Sequence, residues 1–438
     1  MKRIAFPLSL LIIVFWAILQ PAEILNFSAG FMPMRKAFTV LLGALALGWM
    51  GFSMLLALRP AWLERNLGGL DKLFRVHKWV GIASVLLVVT HWLLILSPRT
   101  LASWGWIETI ARGARPPHEG GETFSWVHLA RGMGEWSAWL MIVLGIVALL
   151  RFVPYGWFRK LHRGFPVAFL IDAFHSVVML PEDTVATPFG LLMIGISVAG
   201  SVIAVISLAG MIGRQNRHSG QVSSVATNTA GVLELQVTPG KDWPGHQAGQ
   251  FALLTLDRNE GPHPFSIVSD WKKGAPLRFA IKPLGDYTRS LPERVKVGKA
   301  VTVEGPYGHF DFGDISEEQV WVAGGIGVAP FLARLEWLAA RGGAKGKVHF
   351  FYSAKSPAES SFPTSLADLC WHAGVELHQR VDTVDGLIEH AEIGQLVQNT
   401  KGVWFCGPLA WAKSLQSALQ RNFGLPAGRF HRELFEFR

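Results

Sequence analysis

Residues 76–96, VHKWVGIASVLLVVTHWLLIL, form an apolar stretch with a histidine near each end. A bilayer hydrocarbon core of ~30 Å needs about 20 helical residues to cross it. Histidine is costly in lipid and normally requires a partner there. The stretch therefore predicts a transmembrane helix with two functional side chains, His77 and His91.

Further apolar stretches occupy the first half of the chain, and together they predict six spans. Their approximate limits are Ile4–Leu19, Ala37–Leu58, Val76–Leu96, Trp136–Phe152, Leu161–Leu180 and Phe189–Ile212. The first resembles a signal peptide but has no small-x-small cleavage site, so we interpret it as an uncleaved span. Basic residues collect at the ends and in the loops after spans two and four, which predicts that both termini are cytoplasmic in a cell (inner) membrane.

The predicted spans contain four histidines, two in span three and two in span five. His77 and His91 are fourteen residues apart, and His162 and His175 are thirteen apart. Because both helices run outward, the depths match in an inner pair, His77 with His162, and an outer pair, His91 with His175. Facing imidazoles at two depths suit two bis-histidine b-type haems. The alternative is hydrogen-bonded packing.

Span five raises two further questions. On a straight helix its two histidines would point about 140° apart, and we expect Pro166 to kink the helix between them. Asp172 lies inside the same span, where it either orients a histidine, carries protons or faces a polar cavity.

Composition excludes several other classes of protein. The net charge of +9 comes without a basic block or nucleic-acid motif, so we assign it to loops near the membrane. The two cysteines, Cys370 and Cys406, both lie in the second half, and no extracellular disulfide framework is predicted.

From residue 219 onward the hydrophobic pattern is that of a soluble protein. Short alternating runs punctuated by Gly and Pro predict a small antiparallel barrel. Their limits are Gln221–Ala226, Val232–Val237, Phe251–Leu256, Leu277–Ile281 and Ala300–Val303. From residue 318 the pattern becomes strand, glycine-rich turn and helix, which predicts an open parallel sheet with a nucleotide site at its strand ends.

Six short motifs in this half follow one another in a characteristic order. They are HPFSI (263–267), IKPLGDYT (281–288), EGPYG (304–308), GGIGVAPF (324–331), FCGP (405–408) and ELF (433–435). With the four histidines, they resemble the ferric reductase and NADPH oxidase family, in which a ferric reductase-like transmembrane domain precedes a ferredoxin–NADP reductase-type module. The resemblance covers roughly residues 37–438.

The resemblance implies a multi-domain membrane protein. We expect a six-helix transmembrane haem-binding bundle at 1–213, an antiparallel β-barrel FAD-binding domain at 214–315 and an α/β Rossmann-like NAD(P)-binding domain at 316–438. It also implies a set of residues that bind FAD and NAD(P)H. These are His263, Pro264, Phe265, Ser266, Ile267, Lys282, Gly285, Tyr287, Thr288, Gly324, Gly325, Gly327, Pro330, Ser353, Lys355, Cys406, Gly407, Pro408 and Phe435.

Within this set the resemblance implies three catalytic residues. Ser266 would lie near the reactive nitrogen of the flavin, Cys406 near the site of hydride transfer, and Phe435 over the flavin ring, with Phe437 as a possible substitute. Ser353 and Lys355 occupy the place where the family reads the adenosine ribose. The arginine usual there is missing, so NADPH is favoured only slightly over NADH.

The implied function is an NAD(P)H-dependent oxidoreductase that reduces an extracytoplasmic acceptor, either a ferric chelate or dioxygen. A second hypothesis is an electron-supply subunit for a separate exported redox protein, with the loop from Ser97 to Glu135 as its docking surface. A transporter with a regulatory reductase domain is a third, and paired histidines with few other intramembrane charges argue against it. A flavoprotein with a simple membrane anchor would leave the four histidines unexplained.

Overall fold

The computed structural model describes residues 2–107, 124–150, 152–313, 317–360, 362–363 and 365–433. It divides into two compact units. The first comprises Met1–Asn66 and Leu73–Ile212, and the second comprises Leu67–Lys72 and Gly213–Arg438. The described residues do not include Phe435, Phe437 or residues 108–123 of the loop from Ser97 to Glu135.

The first unit is helical. Its helices are α1 (Lys2–Ile18), α2 (Ala22–Leu25), α3 (Phe31–Leu58), α4 (Ala61–Leu67), α5 (Leu70–Ser103), α6 (Trp126–Leu149), α7 (Tyr155–His162), α8 (Gly164–Val178), α9 (Glu182–Val185) and α10 (Pro188–Leu208). Among the described residues, α3, α5, α6 and α10 are long and apolar enough to cross a membrane. The chain is thus a multi-pass membrane protein, while the count of six spans is not confirmed.

The predicted fifth span is not one helix. The chain breaks at Arg163, so His162 ends α7 and His175 lies in α8, which has 15 residues. Pro166 falls in the first turn of α8 and has no N–H to donate to the His162 carbonyl, so the interruption lies where this proline was expected to kink the helix. Gly164 begins α8 and permits its close approach to α6, because a Cβ there would lie 2.8 Å from a Leu144 methyl group.

Apolar side chains fill the space between these helices. α8 packs against α6 and α10, and α3 packs against α1 and α10. Phe169 of α8 is fully buried in the resulting cluster, and a Cβ on Gly200 would lie 2.2 Å from its ring. Small residues therefore let these helices approach closely, as is usual within membranes.

The second unit begins with a six-stranded antiparallel sheet. Its elements are β1 (Arg217–Thr227), β2 (Leu233–Pro239), β3 (Phe251–Thr255), β4 (His263–Ser266), β5 (Leu277–Ile281), α11 (Asp286–Arg294) and β6 (Ala300–Tyr307). The strand order is β4-β3-β6-β1-β2-β5, and an isolated bridge between Ile267 and Phe279 links the end of β4 to β5. Leu235, Leu254 and Val303 belong to its buried core. A closed barrel stays a prediction.

A five-stranded parallel sheet follows. Its elements are β7 (Gln319–Gly324), α12 (Ala329–Ala339), β8 (Val348–Ala354), α13 (Pro357–Ser360), α14 (Leu366–His372), β9 (Glu376–Val381), α15 (Asp382–Asp385), α16 (His390–Gly394), β10 (Gly402–Cys406), α17 (Leu409–Asn422) and β11 (Phe430–Arg432). The strand order is β11-β10-β7-β8-β9. The central strands are apolar on both faces, as expected for a parallel sheet covered by helices.

Candidate functional site

The structure brings the four membrane histidines together as two pairs. The rings of His77 and His162 have their centroids 6.0 Å apart with planes at 63°. His91 and His175 are close enough to interact electrostatically. The pairing is the one predicted from depth alone. The helix break at Arg163 removes the difficulty that a straight span five posed, because the two histidines of that span lie on different helices.

Three of these imidazoles are bound through Nδ1 to a neighbouring helix. His91 Nδ1 lies 2.9 Å from the Thr39 carbonyl, and His175 Nδ1 lies 2.8 Å from the Ala130 carbonyl. His77 Nδ1 lies 3.2 Å from both the carbonyl and the hydroxyl of Ser53. A carbonyl can only accept, so Nδ1 carries the proton in the two outer rings. Their Nε2 atoms are therefore left with a free lone pair.

Glycines make room for the two outer rings. A Cβ on Gly43 would lie 3.0 Å from His91 Cε1, and a Cβ on Gly134 would lie 2.6 Å from His175 Nδ1. Gly43 follows Thr39 by four residues, and Gly134 follows Ala130 by four. Each outer histidine ring thus packs against a single turn of a neighbouring helix. The carbonyl at the start of that turn contacts its Nδ1, and the glycine four residues later leaves room for the ring.

Two of the buried polar atoms in this unit that have no hydrogen-bond partner among the described residues lie at or near the histidines in sequence. His162 Nδ1 makes no hydrogen bond to any described residue, and neither does Asp172 Oδ2. Asp172 lies beside the Ser137 hydroxyl, whose recorded hydrogen bond runs to the Ala168 carbonyl at 3.4 Å. An unsatisfied buried group in an apolar setting is costly, so these two positions are where a bound group or water would fit.

The predicted flavin residues lie on two adjoining parts of the antiparallel sheet. β4 carries His263, Pro264, Phe265 and Ser266, with Ile267 next, and it pairs with β3. The His263 ring stacks on that of Tyr287 at 4.1 Å. The Tyr287 hydroxyl is buried without a described partner, and burial raises the pKa of this phenol. Gly285 and Thr288 form the N-terminal turn of α11, where the Thr288 hydroxyl accepts from Gly285 N at 3.0 Å.

Lys282, one of the residues expected to bind a cofactor, pairs with a carboxylate in the structure. Its ammonium forms an ion pair with Glu359 of α13. The same carboxylate accepts from the Lys355 backbone N–H at 2.9 Å and faces the Gly325 turn. Burial opposes ionisation of Glu359, but its bonds to Lys282 and Lys355 outweigh burial and lower its pKa. Sequence reasoning missed Glu359, because a glutamate in an irregular Ser-Pro-Ala-Glu segment carries no periodic signal.

Ser353 also has a partner that the sequence did not indicate. Its hydroxyl lies 2.6 Å from Asp382 Oδ1 and donates to this carboxylate. Ser353 of β8 pairs with Gly324 of β7 in the sheet register, and Asp382 directly follows β9. A carboxylate therefore lies beside the expected ribose-reading position. Acidic residues at this place in nucleotide-binding sheets bind the ribose 2′-hydroxyl, which is free in NADH.

The two predicted nucleotide motifs pack against each other. They follow β7 and β10, which are adjacent parallel strands, so their turns meet at one edge of the sheet. A Cβ on Gly327 would lie 2.2 Å from the Cys406 carbonyl, and a Cβ on Gly407 would lie 3.1 Å from Gly324 N. Only glycine permits this approach at position 327, and a side chain at position 407 would require its neighbours to shift by a few tenths of an ångström. Pro330 lies at the start of α12, and Pro408 immediately precedes α17.

Cys406 and Glu433 are buried ionisable groups in the second unit. Burial, and secondarily the Glu433 carboxyl, raises the pKa of the Cys406 thiol, which is therefore protonated. Burial likewise raises the pKa of Glu433 well above its usual range. Both Glu433 carboxyl oxygens lack a hydrogen-bond partner among the described residues. Cys406 is thus not a thiolate nucleophile, which agrees with a positioning role beside a hydride path.

Known proteins resemble both the transmembrane half and the reductase half of the chain. Residues 42–172 match a family model described as "Ferric reductase like transmembrane component". The "Anthranilate 1,2-dioxygenase electron transfer component" of Acinetobacter baylyi is 23% identical over 209 residues, which cover 45% of this chain and 61% of that protein. The "Propane 2-monooxygenase, reductase component" of Rhodococcus jostii is 26% identical over 155 residues, which cover 34% of this chain and 41% of that protein.

Solved structures include a similar chain. The FAD/NAD binding domain of nitric oxide dioxygenase from Vibrio cholerae is 22% identical, covers 49% of this chain and 97% of that chain, and has a TM-score of 0.43. This chain spans less than two thirds of the length of the two curated relatives named above. The matches confirm the predicted architecture, in which a ferric reductase-like transmembrane component is followed by an oxidoreductase module.

Proposed function

We propose that this protein carries electrons from cytoplasmic NAD(P)H through FAD and two b-type haems to an acceptor outside the cytoplasm, a ferric chelate or dioxygen. The observation that supports it most strongly is the arrangement of His77, His162, His91 and His175. They form two neighbouring pairs, and three of them are anchored through Nδ1 to a carbonyl. That is how metal-ligating histidines are normally held.

The residues at these pairs fit a bound haem on grounds independent of the family match. Gly43 and Gly134 let the outer rings pack directly against neighbouring helices, where a methyl group would clash with them. His162 Nδ1 is buried and makes no hydrogen bond to a described residue, so this ring has hydrogen-bonding capacity available for a bound group. We assign His77 and His162 to the inner haem, and His91 and His175 to the outer haem.

In this proposal the protein contributes positioning and exclusion of water. A flavin exchanges a hydride on one side and single electrons on the other, and a bis-histidine haem exchanges single electrons without binding substrate. The Thr39 and Ala130 carbonyls accept the Nδ1 protons, which leaves both Nε2 lone pairs available to an iron. Buried apolar residues such as Phe169 keep water from this region.

The second unit supplies the electrons in this proposal, with FAD in residues 214–315 and NAD(P)H in residues 316–438. The stacked His263 and Tyr287 rings and the α11 N-terminus would bind flavin, with Phe265 and Ser266 nearest its ring. The Gly324–Gly327 turn and the α12 N-terminus would receive the nucleotide pyrophosphate. Cys406 and Phe435 would line the hydride path. Both termini would be cytoplasmic in the cell (inner) membrane.

A reduced-minus-oxidised spectrum of the purified protein tests the proposal. We expect two b-type haems per chain, one FAD, and reduction of both haems by NADPH or NADH once FAD is bound. Oriented vesicles then separate ferric-chelate reduction from superoxide formation. A preparation supplied with haem that shows no Soret band would end the proposal and leave a membrane-tethered flavoprotein.

A second candidate is an electron-supply subunit for an exported redox protein. It is favoured by the relatives, whose names describe components that serve a separate oxygenase. In that case the protein in oriented vesicles would reduce neither ferric chelates nor oxygen at an appreciable rate. It would do so only when a periplasmic or extracellular fraction is added.

A further inference from the structure

Three potential metal ligands meet on one face of the parallel sheet, at the end opposite the nucleotide motifs. They are His349 near the start of β8, and Glu376 and His378 at the start of β9. His349 lies directly opposite Glu376 in the sheet register. Side chains two residues apart on a strand share a face, so Glu376 and His378 both reach the side on which His349 lies.

The distances between the ligand atoms are those of a coordination shell. His349 Nδ1 lies 3.3 Å from His378 Nε2 and 3.4 Å from Glu376 Oε2, and His378 Nε2 lies 3.4 Å from Glu376 Oε1. Ligands about 2.0–2.1 Å from a tetrahedral ion lie about 3.3–3.4 Å apart. The same distances are long for hydrogen bonds, whose usual length is about 2.9 Å. A single Nδ1 proton also cannot serve both neighbours.

The surroundings hold these side chains in place. The His349 side chain is only 4% exposed, and the His378 ring stacks on Phe351 at 4.5 Å. His349 Nε2 lies 3.6 Å from a Glu318 oxygen and makes no hydrogen bond to a described residue. Burial lowers the pKa of His349. Glu376 is 49% exposed and leaves an entry path.

The geometry points to a binding site for one divalent transition-metal ion, ligated by His349 Nδ1, His378 Nε2 and Glu376. Two imidazoles and a carboxylate suit Zn²⁺, Co²⁺ or Ni²⁺, and water would complete the shell. Lys347, whose ammonium lies 3.6 Å from Glu376, is 62% exposed and can swing into solvent. The ion would fasten the edge strand β9 to β8. It is separate from the proposed haem irons.

Metal analysis of the intact protein by plasma mass spectrometry tests this site. Purified holoprotein is dialysed against micromolar Zn²⁺, washed with a weak chelator, and assayed for zinc, iron and flavin in the same sample. We expect one zinc per chain in the native protein, and less than about a tenth of that in His378→Ala and Glu376→Gln, because two remaining ligands bind weakly. His372→Ala removes a surface histidine of α14 and should keep the full zinc content.

Iron and flavin separate this inference from the proposed function. Unchanged flavin in the His378→Ala protein shows that its soluble part is folded, whatever the iron content of the native protein. Native protein that holds no more zinc than His378→Ala would overturn the site and leave a hydrogen-bonded cluster. Equal zinc loss in His372→Ala would overturn it as well. Zinc lost only from the two ligand variants would support it.

Discussion

Replacing Gly134 by alanine should cost the protein one haem. The new Cβ would lie 2.6 Å from His175 Nδ1, 2.8 Å from Cε1 and 3.0 Å from Cγ, whereas ordinary contacts begin at 3.4 Å. The ring must therefore move by about 0.8 Å, several times the deviation of about 0.2 Å that a metal–ligand bond accepts. The bond from Nδ1 to the Ala130 carbonyl, now 2.8 Å, would be lost or weakened with it.

Gly132→Ala is the matched control for this variant. Gly132 lies on α6 two residues away, and a Cβ there meets nothing within 4 Å. Both substitutions gain about 0.5–1 kcal/mol of helix propensity, so this effect cancels in the comparison.

The assay counts haem and iron per chain by pyridine haemochrome and metal analysis. We expect two haems in the native protein and in Gly132→Ala, but one in Gly134→Ala, with a Soret band of about half the native height. Flavin content should be the same in all three. Two haems with an unchanged spectrum in Gly134→Ala would refute the assignment of His175 as a ligand.

Four other variants test separate parts of the proposal. His91→Leu should remove the outer haem and keep the inner one, as counted by iron per chain, and retention of both would show that the pairing is wrong. Glu359→Gln should free the partly buried Lys282 ammonium for a cofactor phosphate and lower the KM for NAD(P)H a few-fold with little change in kcat, as measured by steady-state kinetics. Asp382→Ser should shift the ratio of kcat/KM towards NADPH about tenfold, since a carboxylate repels a 2′-phosphate, and an unchanged ratio would place the ribose elsewhere. Cys406→Ala should slow flavin reduction about tenfold or more in stopped-flow measurements while haem and flavin contents stay constant.

The membrane half shows how far local patterns determine a structure. Span length, apolar composition and the positions of four histidines are properties of short segments, so the sequence was enough to predict four of the long apolar helices and which histidines lie near each other. Pro166 also predicted an interruption between His162 and His175, but not that two separate helices would form. The packing of Gly164 against Leu144 of another helix leaves no mark on the periodicity of either segment.

In the reductase half, too, some strands could be predicted from the sequence and others could not. Strands β2, β3 and β5 were predicted within two residues, because short apolar runs punctuated by Gly and Pro are a local signal. β4 was missed as a strand, because its four residues are too short to show alternation.

The partners of charged and polar side chains were decided by the tertiary structure alone. Lys282 and Glu359 are 77 residues apart, Ser353 and Asp382 are 29 apart, and His349 lies 29 residues from His378. The last two pairs form because β8 and β9 are adjacent in the parallel sheet, and the first forms because the segment after β5 lies beside α13. The sequence was therefore enough to predict a transmembrane part, a reductase part and the four histidines that we propose as haem ligands. Which carboxylate faces which base depends on strand order, and strand order is set by packing over the whole unit.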